Sequence, residues 1–179
     1  MAAHLRTPGH RWRLALWTGA AALLALPAVA MRFTDEVQWT ARDFITWGVM
    51  LATACGAYEV LARRSASLAY RAGAAAAIGT AFFLVWANLA VGVIGDERNP
   101  ANLMFIGVLA VAVIGALLAS FRAHGMARAM VATAVAQAIV GGIAIFGRLD
   151  VPVALFAITA MYVVLWMGAS VLFRKAARA

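Results

Sequence analysis

Residues 103–121 read LMFIGVLAVAVIGALLASF, 19 residues without a charged side chain. At about 1.5 Å per residue, a helix of that length nearly crosses the ~30 Å hydrocarbon core of a bilayer. The polar residues stand at its two ends, Asn99-Pro100 before it and Arg122 after it. Asparagine ahead of proline is helix-start chemistry. Its amide oxygen can accept from a free backbone N–H, and proline in the first turn forfeits no hydrogen bond.

Working outward, five further apolar runs have spanning length: residues 14–31, 44–62, 72–95, 129–147 and 151–173. The composition agrees, with 179 residues that are 65% hydrophobic and 12% charged and a mean hydropathy of +0.90. A soluble domain is nearer half apolar and a quarter charged. A soluble enzyme and a disordered chain are both excluded. Lipid offers no partner for an open backbone, and the runs are continuous rather than alternating, so helices are expected and not barrel strands. The expected fold is an all-α integral membrane protein, a six-transmembrane-helix bundle forming one domain over residues 1–179.

Charge placement predicts the orientation. The amino terminus and alternate connections hold Arg6, Arg11, Arg13, Arg63, Arg64, Arg71, Arg122, Arg128, Arg174, Lys175 and Arg178, against Arg32, Arg42, Arg98 and Arg148 on the other side, 11 to 4. Six of the seven acids, Asp35, Glu36, Asp43, Asp96, Glu97 and Asp150, fall on the arginine-poor side. By the positive-inside rule both termini are cytoplasmic, in a bacterial inner membrane. The first run also has a cleavable leader's plan, with Arg11 and Arg13, an apolar stretch, Pro27 and Ala28-Val29-Ala30. Its full spanning length favours an uncleaved helix.

Thr40-Ala41-Arg42-Asp43 reads as a capping box, and Asp150-Val151-Pro152 repeats the logic of Asn99-Pro100. A faint parallel repeat of helices two and three by helices four and five is visible. Gly48-Val49, Gly56-Ala57 and Arg63 return 59 residues later as Gly107-Val108, Gly115-Ala116 and Arg122, with Asp43 opposite Asn102. Small residues spaced by four (Gly48, Ala52, Gly56; Gly107, Val111, Gly115; Ala134, Ala138, Gly142), with the smooth run Gly73 to Ala77, predict close helix contacts. The lone Cys55 reads as a small buried hydrophobe.

Polar groups inside the membrane are costly and are the first candidates for a site. Glu59 lies four residues before Arg63, the favourable order for a helical ion pair. Asn88 and Gln137 are the deepest amides, expected to bond across helices or to contact a solute. Trp86, with Phe82 and Phe83, either faces lipid or lines a pocket. A second candidate set occupies the arginine-poor connections: Asp35, Glu36, Trp39 and Asp43 in one, Asp96, Glu97, Asn99 and Asn102 in the other. These are turn and cap residues whose oxygens also suit a cation. Trp12, Trp17, Trp39, Trp47, Tyr58, Tyr70 and Trp166 read as an interfacial belt.

His4, His10 and His124 all lie outside the runs, so an axial haem ligand is missing, and no His pair at zinc or di-iron spacing exists. No phosphate loop or serine elbow occurs within a run. The expectation is no cofactor, no metal, no enzyme and no nucleic-acid partner. Two functional readings remain. One is a structural or accessory membrane component that packs against itself or a partner. The other is a small oligomeric transporter or channel, which requires Glu59, Asn88 and Gln137 to face one cavity.

Overall fold

The computed structural model describes residues 8–149 and 152–179, which are helical without strands. Its elements are α1 (Pro8–Ala30), α2 (Ala41–Ala62), α3 (Leu68–Ala90), a 3₁₀ turn (Pro100–Leu103), α4 (Met104–Leu118), α5 (Ala123–Phe146) and α6 (Pro152–Arg178). Six helices are long and apolar enough to cross a membrane. The chain is a multi-pass helical membrane protein. The expected cap at Asp150-Val151-Pro152, and the residues around His4 and Arg6, lie outside the described residues.

The helices overrun or undershoot the apolar runs for local reasons. α5 starts at Ala123, six residues before its run, because backbone hydrogen bonding continues through His124 and Arg128 once Arg122 has turned the chain. α3 stops at Ala90, before its run ends, because Gly92 and Gly95 take left-handed φ values of 75° and 70°. A Cβ at Gly92 would overlap the Asp96 backbone, so glycine is required there. α4 ends at Leu118, and Ser120 and Phe121 follow with φ of 47° and 59°. Left-handed backbone is costly for a bulky residue. Here Tyr70 donates its hydroxyl to the Phe121 carbonyl at 2.6 Å, and the Arg64 guanidinium lies 5.3 Å from the Phe121 ring centre.

The chain divides into two compact units, residues 1–60 and 61–179. In the first, α1 and α2 form a hairpin. Pro27 has no N–H and so leaves the Leu23 carbonyl without its helical partner. The Trp47 indole N–H of α2 donates to that carbonyl at 3.3 Å, which satisfies the acceptor the proline leaves open. At the start of α2 the expected capping box forms. The Thr40 amide and hydroxyl both donate to the Asp43 carboxylate, each at 2.8 Å. Trp39 packs edge-on against both Phe44 and Trp47.

In the second unit α6 packs against α3 and α5, and α5 also carries α4. Close approach is set by four glycines. A Cβ on Gly115 would stand 2.8 Å from the Ala129 Cβ, one on Gly125 2.6 Å from the Ala119 Cβ, and one on Gly73 3.2 Å from the Phe173 ring. One on Gly141 would overlap Thr159. Ser170 of α6 ties the α5–α6 seam by donating to the Ala127 carbonyl at 2.9 Å.

Several packing expectations are corrected here. The stripe Ala134, Ala138, Gly142 is not the seam. Ala134 is buried, Ala138 is exposed, and Gly142 has open space beside it. The buried face of α5 runs instead through Met126, Met130, Thr133, Gln137, Val140 and Ala144. Steps of four turn the face about 40° per step, so a stripe spaced strictly by four drifts off an interface that alternating steps of three and four follow. Gly107 and Gly56 likewise have no neighbour within 4 Å. Tyr70 and Trp166, expected in the interfacial belt, are core residues at 2% and 1% exposure. Tyr70 meets Phe173 edge-on, with ring centres 5.2 Å apart. Cys55 is buried, as its apolar surroundings required.

Candidate functional site

The two sequence-derived candidate sets partly converge on one cavity. Asn88 of α3 joins Glu97, Asn99 and Asn102 of the 91–103 connection around a space of about 410 Å³. Val85, Leu89, Phe105, Ile106 and Leu109 supply apolar walls from α3 and α4. The cavity exists because α3 and α4, although consecutive in sequence, each pack mainly on other helices.

Asn102 organises the polar rim. Its Oδ1 accepts from the amides of Val93 at 3.0 Å and Ile94 at 2.9 Å, and its Nδ2 donates to the carbonyls of Ile94 at 3.2 Å and Asp96 at 2.7 Å. One side chain thus substitutes for the regular secondary structure that residues 91–99 lack. Asn99 caps the 3₁₀ turn by accepting from the Ala101 amide at 3.0 Å, as its place before Pro100 predicted. The Asp96 carboxylate accepts from the Arg98 amide at 2.9 Å, an Asx turn. Arg98 and Glu97 form a loose, solvent-facing ion pair at 3.8 Å.

Asn88 is the polar group on the cavity wall. Its Nδ2 donates to the Leu84 carbonyl one turn back, at 2.7 Å. Its Oδ1 is buried without a partner. The expected bond across helices is therefore replaced by a bond within α3, and one acceptor stays unsatisfied. Besides Asn88, the polar groups lining the cavity are Glu97, Arg98, Asn99 and Asn102 at its rim.

The other intramembrane candidates go elsewhere. Gln137 is 0% exposed on the seam face of α5, and neither amide atom has a partner. It makes no bond across helices, contrary to expectation, and Thr159 Oγ1 and Trp166 Nε1 of α6 are likewise buried without a partner. Trp86 is 43% exposed and stacks edge-on against Phe83 on an outward face, away from the cavity lining.

Glu59 belongs to the first unit and gains tertiary partners there. Arg13 of α1 pairs with its carboxylate at 2.6 Å, and the Trp17 indole donates to it at 3.1 Å. Trp12 and Tyr58 meet edge-on alongside. Spacing within one helix could not show this. The available signal was that Arg13 and Glu59 are equidistant in sequence from Glu36, near the tip of the hairpin. Asp35 and Glu36 stand on that exposed tip, where the Glu36 amide donates to Thr34 Oγ1 and Gln38 donates to the Asp35 carbonyl. Asp43 is held in its capping box, and Trp39 packs in its aromatic cluster. Asp43 and Asn102, matched by the repeat, do different work: one caps its own helix and the other pins the loop before it. Among the described residues, no three His, Cys, Asp or Glu side chains gather as a metal-holding group.

No protein family, curated protein or solved structure matches this chain.

Proposed function

We propose that this chain is a non-catalytic, multi-pass component of a bacterial inner membrane, with both termini cytoplasmic, that works by packing against a second copy or another membrane polypeptide. The observation that carries the reading is a division among the glycines of residues 61–179. Gly73, Gly115, Gly125 and Gly141 are filled by the chain's own helices, whereas Gly79, Gly107, Gly142 and Gly168 have no atom within 4 Å of a built Cβ. Small residues left open on lipid-facing helices are where another helix approaches closely. The dispersal of the polar groups supports the same reading, since Gln137 is sealed in the core and Asn88 lines the α3–α4 cavity. The charge bias of the connections supports the orientation, and the 59-residue echo supports descent of the two hairpins from one.

Native mass spectrometry after gentle extraction at native expression level tests this. The expected result is a species heavier than 18.9 kDa containing a fixed stoichiometry of a second polypeptide. Substituting Gly107 and Gly142 together by leucine should dissociate it without loss of the folded chain. A bare monomer would overturn the proposal. The alternative, a small oligomeric transporter or channel, lacks the common cavity for Glu59, Asn88 and Gln137 that it required, since Gln137 is sealed in the core, and rests on the unpartnered Asn88 acceptor in the α3–α4 cavity alone. It requires solute flux in proteoliposomes that Asn88→Ala abolishes.

A further inference from the structure

α5 begins and α6 ends on a cluster of basic side chains. His124 and Arg128 stand four residues apart on α5, and Arg174 and Arg178 four apart on α6, so each pair shares a helix face. All four side chains, with Ala127 and Ala177, line a cavity of about 300 Å³. No carboxylate side chain lines it. The seam is held beneath by the Ser170–Ala127 hydrogen bond and by buried Met126 and Phe173.

Two further features favour an anion there. Arg122, at the α5 cap position, makes no side-chain capping bond, and the first turn of α5 holds no acid. The positive end of a 24-residue helix thus lacks the acid that ordinarily offsets it. Depth is the second feature. The apolar run of α5 begins at residue 129, directly after Arg128, and that of α6 ends at residue 173, directly before Arg174. The cavity lies where apolar surface gives way to charge, which is the level of lipid phosphates in a bilayer.

We propose that the cavity formed by His124, Arg128, Arg174 and Arg178 binds the phosphate of an anionic phospholipid head group. Arginine suits this task because its planar fork donates two parallel hydrogen bonds to phosphate oxygens.

Calorimetric titration of the full-length protein in detergent tests this, using short-chain phosphatidylglycerol, short-chain phosphatidylcholine and inorganic phosphate as probes. Phosphatidylglycerol is expected to bind more tightly than the other two. Each arginine lost should weaken it about fivefold, so that Arg128→Gln with Arg178→Gln gives about 25-fold. Lys175→Gln removes the same charge one residue from Arg174 but off the cavity lining, and should change affinity by no more than about twofold. The charge-preserving pair Arg128→Lys with Arg178→Lys keeps the charge but loses the bidentate fork, so it should bind between wild type and the glutamine pair, which separates charge loss from misfolding. Equal affinity for phosphatidylcholine, or undiminished phosphatidylglycerol binding in the glutamine pair, would overturn the proposal. Inorganic phosphate binding as tightly as phosphatidylglycerol would keep the anion chemistry and overturn the lipid as its source.

Discussion

Replacing Asn102 by alanine removes four hydrogen bonds from the connection between α3 and α4. Two of them satisfy the amides of Val93 and Ile94, residues that are 4% and 0% exposed. The two others anchor the carbonyls of Ile94 and Asp96. A carbonyl at the rim can turn to water at little cost. A buried amide left without an acceptor costs about 1–3 kcal/mol, so two of them at about 1.5 kcal/mol each, in the lower half of that range, give about 3 kcal/mol. For a chain of this size each kcal/mol moves the melting temperature about 2–4 °C, and the expected drop is roughly 6–12 °C. Thermal unfolding in one detergent at one scan rate measures it, followed by tryptophan fluorescence. Asn102→Asp separates the two halves of the staple. It keeps the acceptor for Val93 and Ile94 but sets a carboxylate against two carbonyls. It should therefore fall between wild type and alanine. A drop below about 2 °C for Asn102→Ala, or an aspartate variant worse than alanine, would refute the staple as the source of order in this loop.

Gly141→Leu forces a side chain into Thr159 across the α5–α6 seam and should destabilise the fold by about 1–3 kcal/mol or more, whereas Gly142→Leu, facing open space, should leave the monomer's melting temperature unchanged. Trp47→Phe orphans the Leu23 carbonyl and should cost about 1 kcal/mol; in a Pro27→Ala background the restored N–H makes the same change nearly neutral, and equal costs in both backgrounds would sink the account. Arg13→Gln and Glu59→Gln should each destabilise more than their combination does, with a coupling of about 1 kcal/mol in a double-mutant cycle, because the pair is only partly shielded at 43% and 12% side-chain exposure. With Cys55 replaced by alanine, an impermeant maleimide added to intact cells should label Arg98→Cys and spare Arg64→Cys; the reverse pattern overturns the orientation.

The helix ends were legible where a local chemical group does the work. Thr40 with Asp43, and Asn99 before Pro100, act within one turn, so spacing alone finds them. The chemistry of Asn102 was not legible as a staple, because its partners at Val93 and Ile94 are nine and eight residues away, across the left-handed Gly95. Trp166 and Tyr70 were misplaced for a related reason. An aromatic near the end of an apolar run suits the interface and the core equally, and only the approach of a neighbouring helix decides between them. Gln137 and Asn88 were singled out as deep amides; Gln137 is fully buried, whereas Asn88 is half-buried in the last turn of α3. Their partners, or lack of them, depend on which residues of other helices arrive opposite.

By itself the sequence determined that this is a multi-pass helical membrane protein, where its spans lie, and how its charges divide between the two ends. These are sums over neighbouring residues: transfer of about twenty apolar side chains into lipid, and arginines that stay outside it. Tertiary structure alone decided that α6 packs between α3 and α5, that Gly141 rather than Gly142 lies in the seam, that Arg13 meets Glu59, and that α3 and α4 leave a cavity beside Asn88. The physical reason lies in the solvent. Water marks the inner face of a soluble helix by leaving only that face apolar, whereas lipid is as apolar as a core and leaves no such stripe. Which face packs then rests on fit between surfaces far apart in the chain.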